Sequence, residues 1–238
     1  MKRILLILVF AICGMFNNLS YAQESPADST QTDGFFNLYA GIYNLSTQFS
    51  DPAVTRMALY HLLMVSPNKT GILDSLALNY YDNQKWISVA LVTKENLKIN
   101  PDNELALELS AVSYENLGIK DQALTQYETL FLKNDNTTTL YRVAFLQFEL
   151  KRYKESLASA EILLNRSDIA EQTLYFPKAD KTQQKVTMKA ALLNLKGLIA
   201  ISDGEVTKAK ELYLEALKNS PGFEAAQKNL SDAGKEPK

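Results

Sequence analysis

The residues of this sequence best suited to chemistry are its carboxylates, because the chain contains only one histidine and one cysteine. Glu104, Glu108 and Glu115 are spaced so that a helix would bring them to about the same face. Paired carboxylates perform acid–base catalysis where they converge in a cleft and acquire shifted pKa values. Carboxylates along a helix face are usually solvated instead, so we expect these glutamates to be non-catalytic and the protein not to be an enzyme.

The single histidine and the single cysteine do not predict a reactive site. His61 lies between Tyr60 and Leu62, and Cys13 falls in an N-terminal segment that we expect to be removed. A lone histidine cannot assemble a Cys–His pair or a zinc site. The chain also lacks a P-loop, a dinucleotide-binding glycine motif and a nucleophile elbow. We therefore predict a structural or surface role for His61, with no catalytic residue, metal site or cofactor.

Length and composition place the chain among globular proteins. It has 238 residues, 46% of them hydrophobic and 22% charged, which allows one or two domains and excludes wholesale disorder. The net charge of −2 and the isoelectric point near 5.6 argue against a general nucleic-acid binder, which needs a basic surface for phosphates.

The N-terminus has the pattern of a secretory signal peptide. Lys2 and Arg3 precede an apolar run over residues 4–13. The small residues Ser20 and Ala22 then fit a signal-peptidase site with cleavage after Ala22. As a helix the run rises only about 15 Å, half the hydrocarbon thickness of a bilayer, so it is too short to remain as a span. We expect residues 1–22 to be removed on export, with the periplasm as destination and no direct membrane span.

Two other outcomes of export remain open. Cys13 would be the first residue of a lipid-anchored protein, although the bulky Ile12 fits poorly before a lipidated cysteine. Release as a secreted protein is the other.

Loss of residues 1–22 changes the net charge from −2 to −4 and removes the cysteine, so no disulfide contributes to stability. The polar residues 23–34 predict a flexible leader.

From Phe35 onward, apolar residues recur at helical spacing, and the predicted helices end at regular intervals. Pro67 and Pro101 lie 34 residues apart, Asp135 follows after another 34, Asp168 after 33, and Pro221 closes the last unit. Proline ends a helix because it lacks an amide proton and clashes with the preceding turn.

A 34-residue period of paired helices resembles the tetratricopeptide repeat. The last unit carries the resemblance best, with signature residues at Gly197, Gly204, Ala209, Tyr213, Ala216 and Pro221. The resemblance implies an all-α, α-α superhelical fold of antiparallel helix pairs over residues 35–234. Its units are 36–69 (degenerate), 70–103, 104–137, 137–170 and 190–223, followed by a capping helix at 224–234.

Packing explains the repeated pattern. Small residues at Ala123, Ser156 and Ala209 allow the two helices of a pair to approach closely, and larger ones such as Tyr213 fill the space between pairs. No pair buries its apolar face alone, so neighbouring pairs stack. In the capping helix, Ala225, Ala226 and Leu230 are expected to cover the last pair, with Lys228 and Asn229 facing water.

An insertion at residues 171–189 interrupts the repeats. Leu174, Phe176, Val186 and Met188 alternate with other residues at the period of a short β-hairpin, which Pro177 restricts to an edge or a loop. A long insertion in a repeat array often marks the functional face, and a tolerated surface excursion is the alternative.

The resemblance also implies a concave groove, lined by the first helix of each pair, that binds a protein or peptide. The predicted protein-binding residues are Asp74, Leu78, Tyr81, Asp82, Glu108, Val112, Glu115, Tyr141, Phe145 and Phe148, with Asn116, Glu149, Asn194, Leu198 and Ile201 as further positions. This set is apolar and aromatic with five acids and no base. It favours an amphipathic or basic-flanked peptide.

One ambiguity follows from the repeat register. A shift of one residue would move Phe145 and Phe148 from the groove into the core, and the 33-residue interval permits such a shift.

The function expected is that of an exported, non-catalytic scaffold for a protein partner. The alternative is a structural subunit of an outer-membrane or secretion assembly. The oligomeric state is open.

Overall fold

The structure, a computed structural model, describes residues 29–235, so the predicted signal peptide lies outside the described residues. Within that range the chain forms eleven α-helices, one short 3-10 helix and one two-stranded sheet. The α-helices are α1 (Ser29–Gln48), α2 (Pro52–Val65), α3 (Lys69–Asp82), α4 (Trp86–Ile99), α5 (Glu104–Asn116), α6 (Lys120–Asn134), α7 (Thr137–Glu149), α8 (Tyr153–Leu164), α9 (Met188–Ser202), α10 (Val206–Asn219) and α11 (Glu224–Asp232). The chain divides into two compact units, with the boundary between Ser66 and Pro67.

The first unit contains the helix pair α1 and α2. Asp51 caps α2, because its carboxylate accepts from the amides of Ala53 and Val54, and Pro52 occupies the first turn. His61 stacks on Tyr39 with ring centroids 4.1 Å apart, which agrees with a structural role. Helix α1 begins at Ser29, so the last residues of the predicted flexible leader are helical.

The second unit contains four further helix pairs in chain order, α3 with α4, α5 with α6, α7 with α8, and α9 with α10. The expectation of an all-α repeat fold is confirmed. Ala123, Ser156 and Ala209 are each fully buried, as predicted for the contact between paired helices. Ser156 also donates from its hydroxyl to the carbonyl oxygen of Ala144 at 2.7 Å, which joins α8 to α7.

Helix ends in this unit are set by more than proline. Gly118 and Gly204 have φ of 74° and 78°, the left-handed conformation that glycine adopts readily at a helix end. Asp135 replaces proline after α6 and is itself left-handed, with φ of 48°, while its amide donates to the carbonyl oxygen of Phe131. The predicted stop at Asp135 is therefore a C-cap.

The insertion forms the predicted hairpin. After a 3-10 turn at Ser167–Ile169, strand β1 (Thr173–Pro177) pairs antiparallel with β2 (Gln183–Thr187). Met188, expected to continue the strand alternation, is instead the first residue of α9.

Helix α11 caps the second unit, and Ala226 is its buried residue. Ala225 and Leu230 are partly buried against the preceding helices, as expected. The expectation for Asn229 is wrong, because its side-chain amide donates to Asn194 Oδ1 at 2.8 Å. Among the helices of residues 29–235, none combines the length and the hydrophobicity that a bilayer span requires.

Candidate functional site

The first helices of three consecutive pairs in the second unit open onto one cavity of 460 Å³, here called the central cavity. Tyr81 reaches it from α3, and Arg142 from α7. The cavity is lined by Tyr81, Glu108, Val112, Glu115, Asn116, Tyr127, Leu130, Thr138, Thr139 and Arg142. Five of these residues belong to the set predicted from the sequence, namely Tyr81, Glu108, Val112, Glu115 and Asn116.

Helix α5 supplies most of these predicted residues because of its periodicity. Glu108, Val112 and Glu115 are four and three residues apart, so they lie along one face. The opposite face packs into the protein through residues that include Ala106 and Ser113, both fully buried. The wall of the cavity is thus the solvent-facing side of an amphipathic helix.

Glu115 is the centre of a small polar network in the central cavity. Its two carboxylate oxygens accept from the Tyr127 hydroxyl at 3.0 Å and from Arg142 Nη1 at 3.2 Å. Burial, reinforced by the neighbouring Glu115 charge, raises the pKa of Tyr127 well above its ordinary value of 10. The Tyr127 hydroxyl therefore stays protonated as the donor to Glu115.

The central cavity also contains a base that the predicted set lacks. Arg142 lines the central cavity with 49% of its side chain exposed. The cause is the register of α7, in which Tyr141 turns into the core and is only 6% exposed. The polar pair Thr138 and Arg142, four residues apart, was the available sequence signal for this face.

Tyr141 and Phe145 line a second cavity of 610 Å³ between α7 and the hairpin, here called the hairpin cavity. The Tyr141 ring stacks on Phe145 and meets Phe176 edge-on, with centroids 6.5 Å apart in each case. Burial raises the pKa of Tyr141 well above its ordinary value. Tyr141 is thus mainly a packing residue, whereas Phe145 retains partial exposure.

Phe148 and Glu149 lie at the end of α7, away from both cavities. The Phe148 ring lies 5.7 Å from that of Tyr153 and packs with the buried cluster that includes Leu195. Lys120 Nζ lies 2.9 Å from Glu149 Oε1, which forms an ion pair. The register ambiguity therefore resolves differently at the two phenylalanines, with Phe145 at a cavity and Phe148 in packing.

Asp74 lies outside the central cavity and takes part in a hydrogen-bond network that links three helices. Its carboxylate accepts from Asn96 Nδ2 at 2.7 Å and from Asn103 Nδ2 at 2.9 Å. The structure thus gives Asp74 a structural role, and its binding role stays a prediction. Leu78 and Asp82 are exposed on α3 but do not line the central cavity.

The predicted groove positions on α9 lie at the C-terminal cap. Asn194 is 7% exposed and accepts the hydrogen bond from Asn229. Leu198 and Ile201 line a separate cavity of 410 Å³ together with residues of α10 and the segment around α11. These three residues are not brought together with those of α5.

Between residues 29 and 235 no cluster of three or more His, Cys, Asp or Glu side chains is arranged to hold a metal ion. In the central cavity, Glu115 is already bound by Tyr127 and Arg142, and Glu108 is exposed. The geometry is that of an open, mainly polar groove with apolar contacts at Val112 and Leu130, one exposed carboxylate and one exposed guanidinium.

The comparisons with solved structures identify the class of fold. The chain is similar to a tetratricopeptide repeat protein from Parabacteroides merdae ATCC 43184, with 15% identity, a TM-score of 0.64, and 85% of this chain and 72% of that one covered. YrrB, described as a TPR protein with an unusual peptide-binding site, matches at 12% identity and a TM-score of 0.64, over 80% of this chain and 89% of its own. MamA from Desulfovibrio magneticus RS-1 matches at 10% identity and a TM-score of 0.60, over 79% of this chain and 96% of its own.

These likenesses show that the chain has the tetratricopeptide-repeat fold, an α-α superhelix of paired helices. No protein-family profile matches the sequence, and no curated protein matches it.

Proposed function

We propose that the protein is an exported, non-catalytic scaffold that binds a peptide segment of a protein partner in its central cavity. One observation carries the proposal: side chains from the first helices of three consecutive pairs converge on a single open cavity. A peptide lying across these helices would contact several pairs at once. YrrB, which shares the fold, is described as having a peptide-binding site, and this supports the proposal.

The chemistry of the central cavity defines the peptide that would fit. Tyr81 and Val112 offer apolar contact, and Tyr81 retains a polar tip suited to a partly wet surface. Glu108 is exposed on the cavity wall and forms no ion pair with another described residue, so it is available to a basic side chain. An acidic group of the peptide can pair with Arg142 in place of Glu115. We infer an amphipathic peptide with a basic residue beside its apolar anchor.

Selection from random dodecapeptides displayed on phage tests the proposal. The enriched peptides are synthesised and their affinities measured by fluorescence anisotropy. Glu108→Lys should weaken binding about tenfold, because it replaces an attraction by a repulsion. Glu211→Lys, the same charge change on the exposed side of α10, is the control and should leave affinity within about threefold. Failure to enrich any peptide, or equal losses in both variants, would contradict the proposal.

Export has its own experiment. The full chain is expressed in a Gram-negative host, and the periplasmic fraction is analysed by intact-mass spectrometry. The expected mature chain begins at Gln23. A chain that begins at a lipidated Cys13 and partitions with membranes would replace periplasmic export by lipid anchoring, and retention of residues 1–22 in the cytoplasm would exclude export.

The alternative function is that of a structural subunit in an outer-membrane or secretion assembly. The observation in its favour lies in the first unit, where Phe49 is 74% exposed and Met64 is 81% exposed. Contiguous exposed apolar patches are typical of surfaces that contact other proteins, and Phe49 and Met64 would belong to such a patch in this alternative. Analytical ultracentrifugation of the isolated mature protein separates the two: a soluble monomer favours the peptide-binding scaffold, and obligate association favours the assembly subunit.

A further inference from the structure

The outer edge of strand β1 presents unpaired backbone groups. In an antiparallel pair, opposed residues alternate between exchanging hydrogen bonds and pointing their peptide groups outward. Met188 donates from its amide to Gln172 at 2.9 Å, and Lys178 donates to Thr182 at 2.8 Å, which fixes the alternation. The even-numbered residues of β1 therefore bond to β2, while Thr173 and Tyr175 direct their peptide groups away from it.

The opposite edge of the hairpin is attached to the protein near the end of β2, and the hairpin turn is attached as well. The outward amide of Thr187 on β2 donates to Ser220 Oγ at 3.1 Å. Nearby, the amide of Ala179 in the hairpin turn donates to Glu224 Oε2 at 2.9 Å. These bonds attach Thr187 to Ser220, which follows α10, and the hairpin turn to Glu224, the first residue of α11. For Thr173 and Tyr175, by contrast, no residue in the described range accepts from or donates to the outward peptide groups.

The open edge of β1 borders the hairpin cavity. Thr173, Tyr175 and Pro177 line that cavity from the strand, and Tyr141 and Phe145 line it from α7. Tyr175 is 67% exposed, so the described chain leaves most of this residue accessible. An added strand would thus find hydrogen-bonding groups along one side and aromatic rings below.

The hairpin cavity adjoins the central cavity across α7. Thr138 and Arg142 on α7 line both, so a peptide leaving the central cavity past α7 reaches the edge of β1. The absence of an amide proton at Pro177 limits the pairing to the preceding residues of the strand.

We propose that an extended segment of the partner peptide adds to the hairpin as a third strand along β1, with alternate apolar side chains in the hairpin cavity. The complementarity lies in the backbone: the outward amides and carbonyls of Thr173 and Tyr175 match an extended chain, and the aromatic floor accepts its alternate side chains. The inference deepens the proposed function and rests on it, because the added strand continues the peptide bound in the central cavity.

The test uses Tyr175→Pro, which removes the outward amide and leaves the ladder to β2 intact. Tyr175→Ala is the matched control, because it removes the same side chain and keeps the amide. The probes are the dodecapeptides enriched on the wild-type protein. Tyr175→Pro should weaken their binding about tenfold, and Tyr175→Ala less than about threefold. The chemical shift of the Val186 amide verifies that the hairpin remains folded in both variants.

A second measurement requires no protein variant. Peptides methylated at a single backbone nitrogen are compared on the wild-type protein. Strand addition predicts that methylation at alternate positions weakens binding about tenfold, whereas methylation at the positions between them weakens it less than about threefold. Loss of affinity without this alternation would overturn the inference.

The outcomes separate the inference from the proposed function. Binding that is weakened by Glu108→Lys but unchanged by Tyr175→Pro and by methylation overturns strand addition and leaves the central cavity as the site. Absence of any enriched peptide overturns both. A wild-type dimer that Tyr175→Pro converts to monomer, without an effect on peptide affinity, would assign the edge of β1 to a second copy of the chain and overturn the peptide as its occupant.

Discussion

The ring of Tyr213 lies against Gly197 so closely that a Cβ atom on this glycine would be 2.4 Å from Tyr213 Cε1. Gly197 belongs to α9 and Tyr213 to α10, so the contact sets how closely the last helix pair packs. Tyr213 is 1% exposed, which leaves its ring little space to move. Glycine is required here for close approach of the ring.

Gly197→Ala should destabilise the protein by about 1–3 kcal/mol through overpacking, although alanine favours a helix over glycine by about 1 kcal/mol. Urea denaturation followed by circular dichroism measures the change in the free energy of unfolding. In a Tyr213→Ala background the same substitution should cost nothing or stabilise. An equal cost in both backgrounds would show that the ring contact is not the cause.

Alkaline pH should destabilise the protein partly through Tyr213. Burial raises the pKa of Tyr213 from 10 to about 12. Above pH 10 the unfolded chain releases this proton while the folded protein retains it. Ionisation therefore lowers the free energy of the unfolded state, and the free energy of unfolding falls as the pH rises towards 12.

Tyr213→Phe keeps the ring and removes the titrating group. Its urea midpoint should therefore fall less steeply than that of the wild type between pH 9.5 and 11, the range above the ordinary tyrosine pKa of about 10. Both proteins keep Tyr127 and Tyr141, whose raised pKa values contribute equally to the two curves. Parallel curves would exclude Tyr213 as a source of the alkaline loss.

Asp74→Ala should destabilise the protein without weakening peptide binding. It removes the acceptor of Asn96 and Asn103, and Asn96 is only 1% exposed, so the loss is about 1–3 kcal/mol. Asp74→Asn keeps one acceptor oxygen and should cost less. Chemical denaturation and anisotropy with the enriched peptides provide the two readouts. A large loss of affinity in the folded Asp74→Asn variant would show that Asp74 contributes to peptide binding.

Ala209→Glu should cost several kcal/mol, because it places a carboxylate in the fully buried contact between α9 and α10. Leu214→Glu is the control on the same helix, since Leu214 is 49% exposed and its replacement should change stability by about 0.5 kcal/mol or less. Thermal unfolding of the two variants measures the contrast, and similar melting temperatures would contradict the assigned packing.

The repeat architecture was predictable because it follows from local signals. Stops near Pro67, Pro101 and Asp135 define the period, and small residues such as Ala123 mark the contacts between paired helices. The hairpin was also predictable, because alternation around residues 174–186 is a local pattern. Each signal depends on a helix or strand and its immediate partner, so chain order is enough to interpret it.

The site was predicted less completely because side-chain direction depends on the rotation of a whole helix. On α7 that rotation buries Tyr141 and exposes Arg142, one residue away. Asn229 likewise bonds to Asn194, about one repeat earlier, and the repeat spacing alone does not show that the two side chains face each other.

The sequence alone determined that paired helices repeat every 34 residues around small buried residues, since that pattern results from periodicity and steric size. Only the tertiary structure decided that Glu115 joins Tyr127 and Arg142, and that the open edge of β1 borders the same surface. The physical reason is distance along the chain: these groups come from separate elements, and the packing of those elements fixes the final rotation of each.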